Sequence, residues 1–273
     1  MRSSRADDGL ELRTAIDGAR PRLGPLASTF VFLPAIGSTN DVALARCAKN
    51  DDAAADPHGL VVVADEQTAG RGRRGHAWFS PPRAGLYASV VLAPASARVD
   101  PSRATTLVTL AAGVALAEGI AAATGLAVDL KWPNDLLAAR RKLGGILAER
   151  ASEAHVVVGY GINVDASAFP PELHDRATSL ESETGRAIDR IHVLIETLAA
   201  LARRYDDLLA GRFDAILDAW RTHAPGAEGA RVAWTTNAGA MSGVTAGIDE
   251  QGALMVRVGD RVERIVGGEV AWL

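Results

Sequence analysis

A single cysteine, Cys47, stands among the 273 residues. The chain can therefore close no internal disulfide and offers no cysteine-based zinc site. Its setting, Val42-Ala43-Leu44-Ala45-Arg46-Cys47-Ala48, reads as a helix, in which a lone thiol behaves as a small apolar residue rather than a nucleophile. Long apolar runs are also missing. The longest uncharged stretch, residues 104–117 between Arg103 and Glu118, contains Thr105, Thr106, Thr109 and Gly113 and is too short to span a bilayer. A buried core helix is expected there, and no membrane partner. The first 25 residues carry Asp7, Asp8, Glu11 and Asp17 and lack the apolar segment of a signal peptide, so a cytoplasmic location is expected. No basic excess exists either. A net charge of −4 argues against a protein whose main partner is nucleic acid. No repeat or low-complexity segment interrupts the chain. What is present, 48% hydrophobic and 23% charged residues, suits a globular protein with a sizeable core.

Residues up to about Ser28 read as a tail with one short helix. From Thr29 the pattern becomes α+β. Residues 30–33 form a short strand, and Ser38 or Thr39 can cap a helix running to Cys47. Residues 60–64 are a continuous apolar run of buried-strand type. Strands are expected at 86–92, 128–131, 136–138, 143–148 and 156–159, with a long helix at 102–124 and a basic turn at Arg140 and Arg141. Strands in series with short turns point to a sheet covered by helices on one side rather than to regular βαβ alternation. Ile191, Leu194, Ile195, Leu198, Leu201, Tyr205 and Leu208 follow the i, i+3, i+4, i+7 rule of an amphipathic helix, and a second helix follows from Phe213. After Pro225-Gly226, short alternating strands at 231–234, 241–246, 252–258 and 261–266 are separated by Gly- and Asn-containing turns, the spacing of a small β-barrel. The expected organisation is a tail at 1–28, a catalytic domain at 29–225 and a small C-terminal domain at 226–273.

Three segments carry chemistry. The first is Gln67-Thr68-Ala69-Gly70-Arg71-Gly72-Arg73-Arg74-Gly75. It contains a G-x-G-x-x-G, but a dinucleotide fold would start a helix within it, and His76-Ala77-Trp78-Phe79-Ser80-Pro81-Pro82 cannot be that helix. The motifs that accompany a kinase glycine loop do not follow. A mobile loop remains, with glycines that let backbone approach a ligand and arginines that attract phosphate and carboxylate. A solvated loop or an arginine-rich nucleic-acid contact is the alternative. It gives no reason to set three mutually repelling arginines directly after a buried strand, so anion binding is favoured.

The second segment is Lys131-Trp132-Pro133-Asn134-Asp135 with Arg141-Lys142-Leu143-Gly144-Gly145-Ile146-Leu147-Ala148-Glu149. Its spacing fits a hairpin that brings both lysines, Asn134 and Asp135 to one mouth; the alternative is a turn with surface lysines. The third, Val158-Gly159-Tyr160-Gly161-Ile162-Asn163-Val164, is a strand end thinned by glycine, for a ligand or for packing.

Together, and with Gly37-Ser38-Thr39-Asn40 before them, these segments resemble the biotin protein ligase family in its monofunctional form, over about Ser28 to the C-terminus. The resemblance implies a class II synthetase-like catalytic domain and an SH3-like C-terminal barrel. It implies that Ser38, Thr39 and Gln67 bind the ureido head of biotin, that Asn40 belongs to the biotin site, that Gly70, Arg71 and Arg73 order over biotin and the adenylate, and that Lys142 lies between the biotin carboxylate and the α-phosphate. Gly145, Gly159 and Gly161 would let the ligand approach the sheet. Arg73, Arg74, His76, Lys131, Asn134, Lys142, Ile162 and Asn163 would serve ATP. The catalytic set would be Lys142, Arg71, Arg73 and Asp135, the last orienting or deprotonating a carrier lysine unless it only fixes a turn.

The substrates implied are biotin and ATP with Mg²⁺, and the partner a biotin carboxyl carrier domain of a biotin-dependent carboxylase, with the ligase a monomer or homodimer. Two positions depart from the family pattern: His76 stands where Arg or Lys is usual, and Gly144 where Ala is usual. The prefix before Ser38 is mixed in charge and broken by Pro21 and Pro25, so no helix-turn-helix and no nucleic-acid partner is expected. A lipoate or octanoate ligase of related fold is the nearer rival; Trp132 and the C-terminal barrel favour biotin.

Overall fold

The computed structural model describes residues 5–48, 56–236 and 239–273. Strand β1 (Thr29–Leu33) pairs in parallel with β2 (Leu60–Ala64), and every further pairing in the main sheet is antiparallel. The remaining strands are β3 (Gly85–Leu92), β4 (Asp129–Lys131), β5 (Asp135–Ala138), β6 (Arg141–Arg150) and β7 (Val156–Asn163). The order β1-β2-β3-β7-β6-β5-β4 places β3 and β7 at the centre, and every residue of both is buried.

Alternation assigns the two faces. Val61, Val63, Ala88, Val90, Val158 and Tyr160 enter the main core, whereas Leu60, Val62, Val91 and Val157 form a second cluster with Ala43. The helices divide accordingly. Helices α3 (Pro101–Thr124), α5 (Arg190–Leu209) and α1 (Arg5–Leu23) cover the first face, while α2 (Thr39–Ala48) packs on β2, β3 and β7 from the opposite one. Helix α2 covers this second face only over β2, β3 and β7, leaving the rest of it open, and it explains why β2 is apolar at every position.

Local chemistry sets the helix ends. Asp100 accepts from the Arg103 N–H and Pro101 opens α3, while Gly125 closes it. By length and composition α3 could cross a membrane, but Leu107, Val114, Leu116 and Ile120 are buried beneath the sheet and α5, which makes it a core helix. The stripe expected on α5 is buried from Leu194 to Leu208, with Ile191 partly buried, and the Tyr205 hydroxyl accepts the Ala93 N–H at 3.0 Å.

The expected tail needs correction. α1 is a 19-residue helix that continues through Pro21, and Leu12, Ile16 and Leu23 join the core. Arg22 donates twice to Glu196 of α5, at 2.8 and 2.5 Å. Residues 1–4 lie outside the described residues.

After α4 (Leu180–Thr184), α5 and α6 (Phe213–His223), the chain forms a five-stranded antiparallel sheet. Its strands are β8 (Glu228–Thr236), β9 (Gly239–Ile248), β10 (Leu254–Val258), β11 (Arg261–Ile265) and β12 (Val270–Trp272), in the order β11-β10-β9-β8-β12. Sequence reading anticipated four of these; β12 was too short to show alternation. The Asn-containing turn expected there, at Asn237, falls outside the described residues. The Trp132 indole N–H donates to Gly252 O at 2.9 Å, tying the main sheet to this domain.

Candidate active site

The open face of the main sheet, the Gly-Arg loop and the edge of the C-terminal sheet enclose a cleft of about 1660 Å³. That exceeds the several hundred cubic ångströms typical of one small ligand, so two substrates fit side by side.

One end of the cleft is a polar pocket. Thr39 opens α2, and its N–H and hydroxyl both lie on Gln67 Oε1, at 2.8 and 3.1 Å. Gln67 Nε2 donates to Ser80 Oγ at 3.0 Å, and Ser80 in turn donates to Trp78 O. Ser89 Oγ lies 2.8 Å from Thr39 Oγ1 and 2.6 Å from Asn40 Oδ1. Ser38, Thr39 and Asn40 are all under 5% exposed, a cost that only ligand or internal hydrogen bonds offset. Thr39 does not cap α2 with its hydroxyl, which faces Gln67 and Ser89 instead. Ser80 and Ser89 escaped the sequence reading; the available signal was a lone serine inside the apolar strand 86–92.

Glycines make this geometry possible, in a different way from that expected. A Cβ on Gly159 would overlap the Asn40 amide, and one on Gly161 would overlap the Trp78 indole. Both positions therefore receive protein side chains over the sheet. Trp78 Nε1 is buried there without a hydrogen-bond partner among the described residues. A Cβ on Gly70 would strike Trp78 O, so this glycine lets loop strands meet rather than a ligand. The loop itself is a tight hairpin: Gly72 N–H donates to His76 O at 2.7 Å and Trp78 N–H to Gly70 O at 2.8 Å, around a 3₁₀ turn at Arg73–Gly75.

Lys142 stands mid-cleft because of a bulge. Leu136 pairs with Gly144 but Leu137 with Lys142, so Leu143 is an extra residue, fully buried. The bulge shifts the alternation, and both Lys142 and Gly145 line the cleft. Lys142 Nζ lies 2.7 Å from Asp135 Oδ1 and 5.5 Å from the centre of the Trp78 ring. Asn163 sends its amide nitrogen to Thr178 O (2.9 Å) and Lys142 O (3.4 Å), bracing the Lys142 backbone.

The arginines have separated. Arg73 donates to Asn134 Oδ1 at 3.2 Å, and Asn134 anchors to β6 through Ile146 O at 2.7 Å. Among the described residues Arg73 has no ion pair; burial depresses its pKa, and Arg74 adds repulsion that Asp135 only partly offsets. A partly buried cation without a counter-ion is a place for an anion. Arg71 is the opposite case. Glu149 holds it by two bonds at 2.9 and 2.8 Å, and Asp41 lies 2.7 Å away. Burial works against the Arg71 cation, but the bonds and charge of Glu149 and Asp41 outweigh it and raise its pKa.

One other expectation requires adjustment, that for Ile162, whereas Lys131, Arg74 and His76 line the cleft. Lys131, Asn134, Asp135 and Lys142 all line the one cleft, though through two hairpins rather than one, and Lys131 Nζ lies 4.9 Å over the Trp272 ring of the C-terminal sheet. The Ile162 side chain is fully buried in the core on the other face, so it cannot contact a nucleotide in the cleft. His76 is mostly exposed and faces Glu269 at 4.0 Å, while Arg74 beside it is exposed.

Comparisons with known proteins agree with this arrangement. The model of the biotin/lipoate A/B protein ligase family matches residues 33–163. The chain is 38% identical over 220 residues to the bifunctional ligase/repressor BirA of Bacillus spizizenii, covering 78% of this chain but only 66% of that relative, about two thirds of its length. It is 35% identical over 250 residues to a biotin–[acetyl-CoA-carboxylase] ligase of Mycobacterium tuberculosis, covering 87% and 86% of the two chains. Its fold is similar to that of biotin protein ligase from Aquifex aeolicus solved in complex with biotin and ATP, with TM-score 0.75, 28% identity, and coverage of 90% and 99%.

Proposed function

The chain belongs to the biotin/lipoate A/B protein ligase family, and we propose that within it the chain is a biotin protein ligase. It joins biotin to AMP at the expense of ATP, then transfers biotin to a lysine of a carrier domain from a biotin-dependent carboxylase. The observation that carries this reading is the pairing, within one cleft, of a hydrogen-bonding pocket with two cations placed for anions. Thr39 and Gln67 line the pocket with Ser89 behind them, and Arg73 and Lys142 are the cations.

A cyclic urea presents two N–H donors and one carbonyl acceptor and can answer such a pocket. The dithiolane of lipoate or an octanoyl chain offers no comparable groups. Either would add no hydrogen bond to the remaining lone pairs of Thr39 and Gln67, forgoing about 0.5–1.5 kcal/mol for each bond that a urea would make. This supports biotin over the lipoate-type alternative.

In the first step the biotin carboxylate attacks the α-phosphorus, and the P–O bond to the β-phosphate breaks, releasing pyrophosphate. Two anions must approach each other, so the enzyme's contribution is alignment and charge. Lys142 exchanges Asp135 for the two anions, and Arg73 takes the phosphate side. Neither step needs a covalent enzyme intermediate.

In the second step a carrier amine attacks the mixed anhydride and AMP leaves. Asp135, freed from Lys142, faces that amine and accepts its proton. Mg²⁺ finds no cage here: among the described residues no group of three Asp, Glu, His or Cys side chains could hold it. Magnesium would enter on the triphosphate, as part of the substrate. Biotin-dependent exchange of labelled pyrophosphate into ATP tests the first step. Exchange with lipoate but not biotin would refute the assignment.

A further inference from the structure

Glu149 ends the Lys142–Glu149 motif on β6, and neither reaction step uses it. Its carboxylate nevertheless touches both Arg71 of the Gly-Arg loop and Asn40 beside the polar pocket. One side of its carboxylate holds Arg71 through two bonds, and Oε2 also accepts from Asn40 Nδ2 at 2.7 Å.

This contact dictates a direction for the whole pocket. A carboxylate only accepts, and Leu147 O, also facing Asn40 Nδ2 at 3.2 Å, only accepts. The Asn40 amide nitrogen must therefore point to β6, and Oδ1 must point to Ser89. Asn40 Oδ1 is an acceptor, so the single hydroxyl proton of Ser89 goes to it, across 2.6 Å. The single Thr39 proton goes inward in either case, to Ser89 Oγ at 2.8 Å or to Gln67 Oε1 at 3.1 Å. Gln67 Oε1 already receives the Thr39 N–H, so it is not left unpaired. Thr39 Oγ1 thereby shows lone pairs, not a proton, to the cleft. Such an atom accepts a ligand N–H.

We infer that Glu149 is a positioning residue that sets the hydrogen-bond polarity of the ligand pocket and couples that pocket to the Gly-Arg loop through Arg71. The inference rests on the reading of the cleft as a site for a biotin-like cyclic urea. It concerns how the site is ordered, not what reaction occurs. Ligand binding against Thr39 fixes Asn40, which fixes Glu149, which holds the root of the loop; by linkage, an ordered loop strengthens ligand binding.

The test is a mutant cycle on biotin affinity, measured by calorimetry on the full chain. Arg71 and Ser89 do not touch, and residues without shared partners combine their effects additively within about twofold. Here they are joined through Glu149 and Asn40. Arg71→Ala and Ser89→Ala should therefore depart from additivity by more than about threefold when Glu149 is present, and become additive when it is Gln. Additivity in the presence of Glu149 overturns the inference, and needs no Glu149 variant to fold.

Glu149→Gln should also raise the KM for biotin by about tenfold, the loss of one charge-assisted bond. The KM for ATP and the kcat of adenylate formation should stay within about twofold. A purely structural role would instead lower kcat and the melting temperature together, and that result also overturns it. Wild-type protein that binds no biotin defeats the functional reading itself; wild-type binding with additive variants defeats only the role of Glu149.

Discussion

Replacing Lys142 by alanine should abolish adenylate synthesis while sparing the fold. The ammonium lies 2.7 Å from Asp135 and its side chain is 39% exposed. A cation 4 Å from one anionic oxygen is worth about 4 kcal/mol at an effective dielectric of about 20. Solvent at a site this open screens roughly half of that, leaving about 2 kcal/mol for each anion. Two anions meet there in the first step, so about 4 kcal/mol of transition-state stabilisation disappears, close to three orders of magnitude in rate. The variant also leaves the Asp135 carboxylate facing the incoming phosphate. Adding Asp135→Asn should then recover about tenfold of adenylate formation while leaving transfer to the carrier impaired. An exposed ion pair contributes about 1 kcal/mol or less to stability, so the melting temperature should stay within about 4 °C. The assay is single-turnover formation of biotinyl-5′-AMP from α-labelled ATP, beside a thermal melt. Native-like melting with near wild-type adenylate synthesis refutes the role given to Lys142.

Arg73→Gly should release biotinyl-5′-AMP into solution rather than stop its synthesis, because a phosphate clamp is lost; labelling of bystander lysines no higher than wild type would show that Arg73 is not the clamp. Gly159→Ala should drive its new Cβ into the Asn40 amide, raising the biotin KM at least about tenfold, and an unchanged KM would remove Asn40 from the pocket. Ile16→Ala, at a fully buried position of α1, should cost about 2–5 kcal/mol in urea unfolding; a loss below about 0.5 kcal/mol would return α1 to the status of a loose tail.

Much of the site was legible because its chemistry lies in contiguous segments. Gln67, Thr39, Lys142 and the glycines of β7 stand out beside apolar segments, and strand periodicity puts Gly159 and Gly161 at one sheet face. What was hidden depends on register and on distant partners. The bulge at Leu143 decides which face Lys142 takes, and a bulge leaves no trace in alternation over so short a strand. Arg71 and Arg73 differ by two residues in sequence, yet one is neutralised by Glu149 and Asp41 and the other is not. Composition alone cannot separate them. The family resemblance sends Ile162 to the nucleotide, whereas period-two geometry sends its side chain to the core. The apolar stripe of α1, Leu12, Ile16 and Leu23, was masked by the charged residues around it and by Pro21.

The most direct measurement is a competition for one carrier. The full chain is incubated with α-labelled ATP, an apo carrier domain of a biotin-dependent carboxylase, and equal biotin and lipoate. Mass spectrometry then reads the modified lysine. Biotin alone should appear on the carrier, with labelled AMP released and biotinyl-5′-AMP as the intermediate. Lipoyl or octanoyl modification, or a carrier left bare while ATP is consumed, would contradict the account.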